Sequence, residues 1–236
     1  MNQKPHTHLN PAGLRTIPLF SGLAETEIKK IAELFSEKTY QRGQLIVDFG
    51  EPAKEFFLIQ NGLVRVYRLN ESGEQVVLAL LGEGDFFGEM GLFTDSFRTA
   101  WVEAITGVRL YRMRKADFRN LLLATPELCW QMLGVISQRL AKMDEQMENL
   151  ICLNVEERLL KALFMLAQEL GRKEEEGWVL PPYLTHRLLG ELIGTSRETV
   201  TRALGRLEKR GWLIRGGDKD DKGTGDRGRI VLQLSR

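Results

Sequence analysis

A chain of 236 residues, 43% of them apolar, has material for one large or two modest cores, and its formal net charge of +1 excludes a polycation that would coat nucleic acid indiscriminately. Two lone cysteines, Cys129 and Cys152, are too few and too widely spaced for a zinc or iron–sulfur site. No apolar run reaches the length of a membrane span and residues 1–9 lack the basic and apolar regions of a signal peptide, so the expected location is the cytoplasm.

In chain order, residues 21–35 have helical spacing, with Leu23, Ile28, Ile31, Leu34 and Phe35 on one side and Ser21 as a candidate cap. Up to about Asp117, short β-type runs at 44–47, 55–59, 63–67, 75–80 and 99–104 are cut by glycines and charged turns, and 70–74 reads as a hairpin loop. Strands of this length and spacing predict a β-sandwich or barrel.

One corner of that barrel carries chemistry. The run Gly84-Asp85-Phe86-Phe87-Gly88-Glu89-Met90-Gly91-Leu92-Phe93 is followed by Arg98-Thr99-Ala100. Glycines around a short turn, with a one-turn helix starting near Glu89, leave backbone N–H groups to face an anion. Arg98 can neutralise a phosphate, Thr99 can hydrogen-bond it, and Glu89 can accept from a ribose hydroxyl. The bland reading of the same residues is a structural Glu89–Arg98 ion pair at a barrel corner.

Residues 126–154 then form a long helix in which Cys129, Leu133, Ile136, Leu140, Met143, Met147 and Leu150 recur at alternating spacings of four and three. This seam predicts a parallel two-helix homodimer, against the alternative that the stripe packs on its own barrel. Residues 155–170 continue as a helix, and 171–177 read as an acidic exposed loop.

The region 185–211 reads as two helices joined by a tight turn. Thr185 caps the first, 186–193; Gly194 permits the turn; Thr195 or Ser196 caps the second, and Gly211 stops it. At about 100° per residue, Arg197, Glu198, Thr201 and Arg202 share an arc of roughly 140°, opposite Val200, Ala203, Leu204 and Leu207. Arginine donates twice to guanine O6 and N7, and glutamate accepts from a cytosine amino group, so this face is suited to a G·C-containing step in the major groove. Arg206, Lys209, Arg210 and Arg215 supply a local basic end. A glycine- and charge-rich tip at 215–228, between residues 212–214 and 230–232, predicts a two-stranded wing with a long tip.

The run Ile193-Gly194-Thr195-Ser196-Arg197-Glu198-Thr199-Val200-Thr201-Arg202, with Leu184-Thr185, Leu188-Leu189 and Leu207-Glu208 around it, resembles the helix-turn-helix of the catabolite-activator/fumarate-nitrate regulator family of bacterial transcription factors. Gly88-Glu89-Met90-Gly91 and Arg98-Thr99-Ala100 likewise resemble the phosphate-binding cassette of cyclic-nucleotide-binding domains, and the similarity spans the chain from about Ile17. The resemblance implies base contacts from Arg197, Glu198 and Arg202 on a TGTGA-like half-site, with Thr185, Ser196, Thr201 and Arg206 alongside. It implies an effector site of Gly88, Glu89, Met90, Arg98, Thr99 and Arg139, walled by Val66 and Leu78 and closed by Met143 and Asp144. Met143 and Asp144 stand where cAMP-responsive members carry a threonine–serine pair, and Ala79 replaces a serine. Ionised Asp144 accepts from an adenine amino group, or from guanine N1–H and N2–H2 together, so cAMP and cGMP or another guanine nucleotide both stand as effectors.

The expected architecture is therefore α+β: a cyclic-nucleotide-binding-type jelly-roll barrel over 1–125, a dimerisation helix over 126–154 and a winged helix-turn-helix over 155–236. Expected partners are double-stranded DNA, a second copy of the chain and RNA polymerase, with no membrane. A second reading keeps DNA binding and makes the barrel corner purely structural. An enzyme is disfavoured because no Ser-His-Asp, Cys-His, metal-ligand or Walker-type constellation is present.

Overall fold

The computed structural model describes residues 11–15, 17–94, 96–175, 177–216 and 229–233. The chain divides into two compact units, 1–68 with 78–141, and 69–77 with 142–236.

The first unit opens with helices α1 (Pro11–Arg15) and α2 (Glu25–Leu34), then strands β1 (Ser36–Tyr40), β2 (Leu45–Val47), β3 (Glu55–Asn61), β4 (Val64–Leu69), β5 (Gln75–Leu81) and β6 (Phe86–Phe87). Helix α3 (Glu89–Phe93), strands β7 (Trp101–Ala104) and β8 (Val108–Arg114), and helices α4 (Lys115–Ala124) and α5 (Pro126–Cys152) complete it, with the end of β4, the start of β5 and the last part of α5 falling in the second unit. The strands form two four-stranded sheets, ordered β1-β8-β3-β6 and β2-β7-β4-β5. The expected barrel is thus a jelly-roll sandwich of two open sheets.

Strand β3 explains the layering. Successive side chains alternate faces, so Phe57 and Ile59 pack between the sheets with Val47, Val64, Val102 and Leu110, while Phe56 and Leu58 join the helical layer with Phe20, Phe35, Phe118, Leu128 and Met132. A strand buried on both faces reads as a continuous apolar run, which is what Phe56-Phe57-Leu58-Ile59 is. Strand β4 faces water on one side and places Arg65 opposite Glu103, 3.0 Å apart. Two assignments change: α2 begins after Ala24, with Glu27 Oε2 accepting from the Ala24 N–H, while Ser21 instead donates to Pro18 O; and β1 and β8 add strands that no apolar run marked.

Helix α5 presents two faces. Leu128 and Met132 are buried in its own unit's core, whereas Leu133, Leu140, Met143, Met147 and Leu150 are all more than half exposed. Of the remaining seam positions, Cys129 and Ile136 are half-buried, and Cys129 Sγ donates to Leu122 O of the first unit, so only the exposed members are left for a second helix.

In the second unit, α5 stops at Cys152 and α6 (Val155–Leu170) restarts behind a capping box. Asn154 Oδ1 accepts from Glu156 N–H and Glu157 N–H, and Glu157 Oε2 accepts in turn from Asn154 N–H, an arrangement worth about 1 kcal/mol that breaks the continuous helix expected here. The segment read as an acidic loop is a hairpin, β9 (Arg172–Glu174) and β10 (Gly177–Val179), because Trp178 and Val179 pair with Leu232 and Val231. Helices α7 (His186–Ile193) and α8 (Arg197–Lys209) follow, then wing strands β11 (Leu213–Gly216) and β12 (Arg229–Leu232), in a sheet ordered β11-β12-β10-β9. The wing tip, 217–228, lies outside the described residues.

Candidate functional site

The glycine corner forms around Gly88, which sits at φ 86° as the cap of α3. Positive φ favours glycine, and a Cβ here would stand 2.6 Å from Arg98 Nη1 and 3.1 Å from Glu55 O. The corner thus requires glycine on two independent grounds. Helix α3 begins at Glu89, and the Glu89 side chain turns inward, leaving the residue 7% exposed. Burial pushes its carboxyl above the ordinary carboxylate range, opposed by the charges of Arg139 and Arg98.

Three charged groups from distant segments meet there. Arg139 of α5 lies with Nη1 3.4 Å from Glu89 Oε1, donates from Nη2 to Phe86 O at 2.6 Å, stands 3.8 Å from Asp85 and covers the Phe86 ring at 4.5 Å. Arg98, 6% exposed, donates to Gly88 O at 2.9 Å and Glu55 O at 2.7 Å, with its guanidinium over the Phe57 ring. Its Nε is buried without a hydrogen-bond partner. Burial lowers the pKa of Arg98, and Glu51, Glu55 and Glu89 oppose that shift. Glu89 and Arg98 do not form the ion pair of the structural reading; Glu89 is held by Arg139 and Arg98 by two backbone carbonyls.

The other expected effector residues are more dispersed. Thr99 is exposed with Oγ1 4.0 Å from Met90 Sδ, and Met90 is itself exposed, so both side chains are open to solvent. Val66 packs partly buried within the sandwich and Leu78 is 43% exposed on β5. Met143 and Asp144 are exposed on the part of α5 that belongs to the second unit.

The helix pair α7–α8 is defined by its caps. Thr185 Oγ1 accepts from Leu188 N, Gly194 takes the left-handed conformation at φ 69°, and Ser196 Oγ accepts from Thr199 N. Of the two candidate caps, Ser196 takes the role. Val200, Ala203, Leu204 and Leu207 are buried, and Arg197, Glu198, Thr201 and Arg202 are exposed on the opposite arc. Arg202 is steadied by a 3.2 Å bond to Thr199 Oγ1. Arg206 and Arg210 both turn toward Glu156 on α6, and Arg215 grips Glu208, holding that carboxyl below its ordinary range. Part of the basic end is therefore neutralised within the protein.

One residue of this surface carried no sequence signal. His186, 6% exposed, places Nδ1 2.9 Å from Thr201 Oγ1, which donates to Arg197 O at 3.0 Å. With the hydroxyl proton used on Arg197, the imidazole Nδ1–H is the donor to Thr201. A chain of hydrogen bonds thus ties α7 to the first turn of α8. Only its place directly after the Thr185 cap could have drawn attention to it.

No helix among the described residues is long and apolar enough to cross a membrane. Residues 37–125 match the family model for the cyclic nucleotide-binding domain, and residues 157–220 that for the Crp-like helix-turn-helix domain. Over 195 residues the chain is 31% identical to the CRP-like cAMP-activated global transcriptional regulator of Mycobacterium tuberculosis, spanning 83% of this chain and 87% of the relative. It is 33% identical over 172 residues to the global nitrogen regulator of Synechococcus elongatus, 72% and 78% of the two chains. A CRP/FNR-family transcriptional regulator from Thermus thermophilus has the same fold, with a TM-score of 0.68 at 29% identity over 84% of this chain and 94% of that one. With a cyclic nucleotide-binding domain and a Crp-like helix-turn-helix on one polypeptide, the chain belongs to the CRP/FNR family of DNA-binding transcription regulators and is not an enzyme.

Proposed function

We propose that the protein is a cytoplasmic homodimer that binds a palindromic TGTGA-like site through Arg197, Glu198 and Arg202, and that a cyclic nucleotide in the glycine corner controls this binding. The three-part division at 125/126 and 154/155 belongs to the same reading, as does RNA polymerase as a partner. The observation that carries it is the Arg139–Glu89 contact, because it ties the corner to the helix that also bears the exposed seam. A ribose hydroxyl donating to Glu89, and a phosphate drawing on Arg98 and Arg139, would redistribute these bonds and bear directly on α5. Two recognition helices set about 34 Å apart by a two-fold axis match successive major grooves on one face of DNA. The ligand's effect equals its differential affinity for the two states of the dimer.

Effector identity turns on Asp144. The cAMP-activated relative of Mycobacterium tuberculosis favours cAMP, whereas an exposed acceptor-only side chain on α5 suits a guanine edge. Calorimetric titration with cAMP, cGMP and cyclic di-GMP, repeated on Asp144→Ala, separates them: a cAMP preference indifferent to the substitution rejects the guanine assignment. A ligand-independent regulator is favoured by one feature, namely that Arg98 and Glu89 have partners within the chain itself. Operator binding unchanged by every nucleotide would select that reading.

A further inference from the structure

The first unit contains a cleft of about 630 Å³ that meets the glycine corner at Arg98, Glu55 and Phe57. Gly88, Glu89, Thr99, Arg139, Val66 and Leu78 do not line it, so it lies apart from the cyclic-nucleotide site described above. Its walls come from the ends of β1, β3 and β8, where side chains that face between the sheets become charged. Lys38, Lys54, Arg98, Arg114 and Lys115 line it against only two carboxylates, Glu51 and Glu55. Glu55 is already engaged by Arg112, which is not part of the lining, at 3.3 Å.

Gathering five cations around one concavity is unfavourable through mutual repulsion, and such a concavity concentrates anions. A second, independent feature points the same way. Arg98 lines the cleft, is 6% exposed, and bonds to the carbonyls of Gly88 and Glu55 and not to a carboxylate, which leaves its charge without a bonded counter-ion. The size also discriminates. A volume of 630 Å³ exceeds what one inorganic phosphate needs and falls in the range of small-metabolite sites. Glu51, whose carboxylate is acceptor-only, suits a ligand that carries hydroxyl donors as well as its charge.

We propose that this cleft binds a small phosphorylated, hydroxyl-bearing metabolite of the sugar-phosphate class, its phosphate held by Arg98, Lys38 and Arg114 and a hydroxyl by Glu51. Because one guanidinium serves both sites, occupancy of the cleft opposes cyclic-nucleotide binding at the corner. That coupling rests on the effector reading; binding in the cleft does not.

The test is calorimetry on the full chain with ribose 5-phosphate, inorganic phosphate and ribose as separate titrants, on wild type and on the K38A/R114A double variant. Lys38 and Arg114 are exposed and lie outside the glycine corner and the recognition helix, so the variant should fold and bind DNA as wild type does. Expected is ribose 5-phosphate binding with Kd of about 1 mM or tighter, inorganic phosphate at least about tenfold weaker, no ribose binding, and a loss of at least about tenfold in the double variant. Absence of ribose 5-phosphate binding, equal affinity for inorganic phosphate, or an unchanged affinity in K38A/R114A would overturn the assignment. Retained cyclic-nucleotide binding in the double variant shows that its defect belongs to the cleft and not to the corner.

Discussion

Leu140 offers the sharpest test of the seam. It is 59% exposed in the single chain, and Leu133, Met143 and Met147 of the same stripe are exposed to 57%, 62% and 60%, with Ile136 half-buried. Complete burial of a leucine side chain is worth about 1.5–3 kcal/mol, so burying the exposed part of Leu140 contributes roughly 1–2 kcal/mol per protomer. In the proposed two-fold dimer both copies lie at the interface, so Leu140→Ala should cost it about 2–4 kcal/mol, or roughly 30- to 1,000-fold in Kd. Leu140→Glu sets two carboxylates against each other at the same level and should dissociate the dimer at concentrations where Leu140→Ala still associates. Sedimentation equilibrium reads both. Met132→Ala is the matched control: Met132 is 2% exposed in the chain's own core, so its loss should lower stability by about 2–5 kcal/mol and leave the subunit Kd of folded protein nearly unchanged. A Leu140→Glu variant that sediments as wild type does would refute the assignment of this stripe to the dimer interface.

Three further outcomes follow from the two sites. Arg197→Ala should lose about 1–3 kcal/mol of discrimination against a substituted guanine in a half-site, whereas Lys209→Ala should weaken all sequences alike and flatten the salt dependence; fluorescence anisotropy on matched and mismatched duplexes distinguishes them. Ser196→Ala removes the acceptor for Thr199 N at the start of α8 and should destabilise the chain by about 1 kcal/mol in urea, with Ser196→Asp restoring it. The third concerns pH. Burial raises the Glu89 carboxyl, so the folded chain holds its proton at pH values where the unfolded chain has released it. Glu89 therefore makes stability fall as pH rises from its ordinary value of 4.5 through its folded value, the reverse of a salt-bridged surface carboxylate. Denaturation of Glu89→Gln should show that contribution to the slope removed, so that the variant gains on wild type as pH increases, while its nucleotide binding is lost.

The parts of this molecule that were legible in the sequence are those built from short-range rules. The caps Thr185 and Ser196, the left-handed Gly194 and the apolar arc of α8 depend on residues within one or two turns of each other, and each took the predicted role. The strands that escaped notice lack an apolar signature for identifiable reasons. Strand β1 lies at a sheet edge and is largely exposed and polar; β8 alternates Val108, Leu110 and Tyr111 with three arginines that face partly toward solvent. Strands β9 and β10 were hidden by an acidic run, because the pairing that orders them, Trp178 with Leu232, joins residues 54 positions apart. Asn154 and Glu157 carried a capping-box signature that the continuing apolar stripe obscured. At the corner, Gly88, Glu89 and Arg98 were visible as a motif, but the Arg139 contact was reachable only through family resemblance, since Arg139 lies off the seam and 50 residues from its partner.

The off-seam position of Arg139 has a mechanical consequence. A helix that places Met132 in its own core, Arg139 in a charged corner and Leu140 toward solvent has three faces committed to three environments, and a rotation about its axis changes them together. Arg139 and Leu140 are adjacent in sequence, about 100° apart around the helix. If a ligand takes Glu89 from Arg139, the bond to Phe86 O and the proximity to Asp85 remain to hold the guanidinium, so the side chain is released in part and not wholly. Partial release suits a switch, because the helix keeps its attachment to the core while its azimuth becomes adjustable. The buried, uphill ionisation of Glu89 serves the same end: a poorly solvated carboxylate gains more from a ligand's hydroxyl than a well-solvated one would, and that difference would be available to bias the proposed dimer.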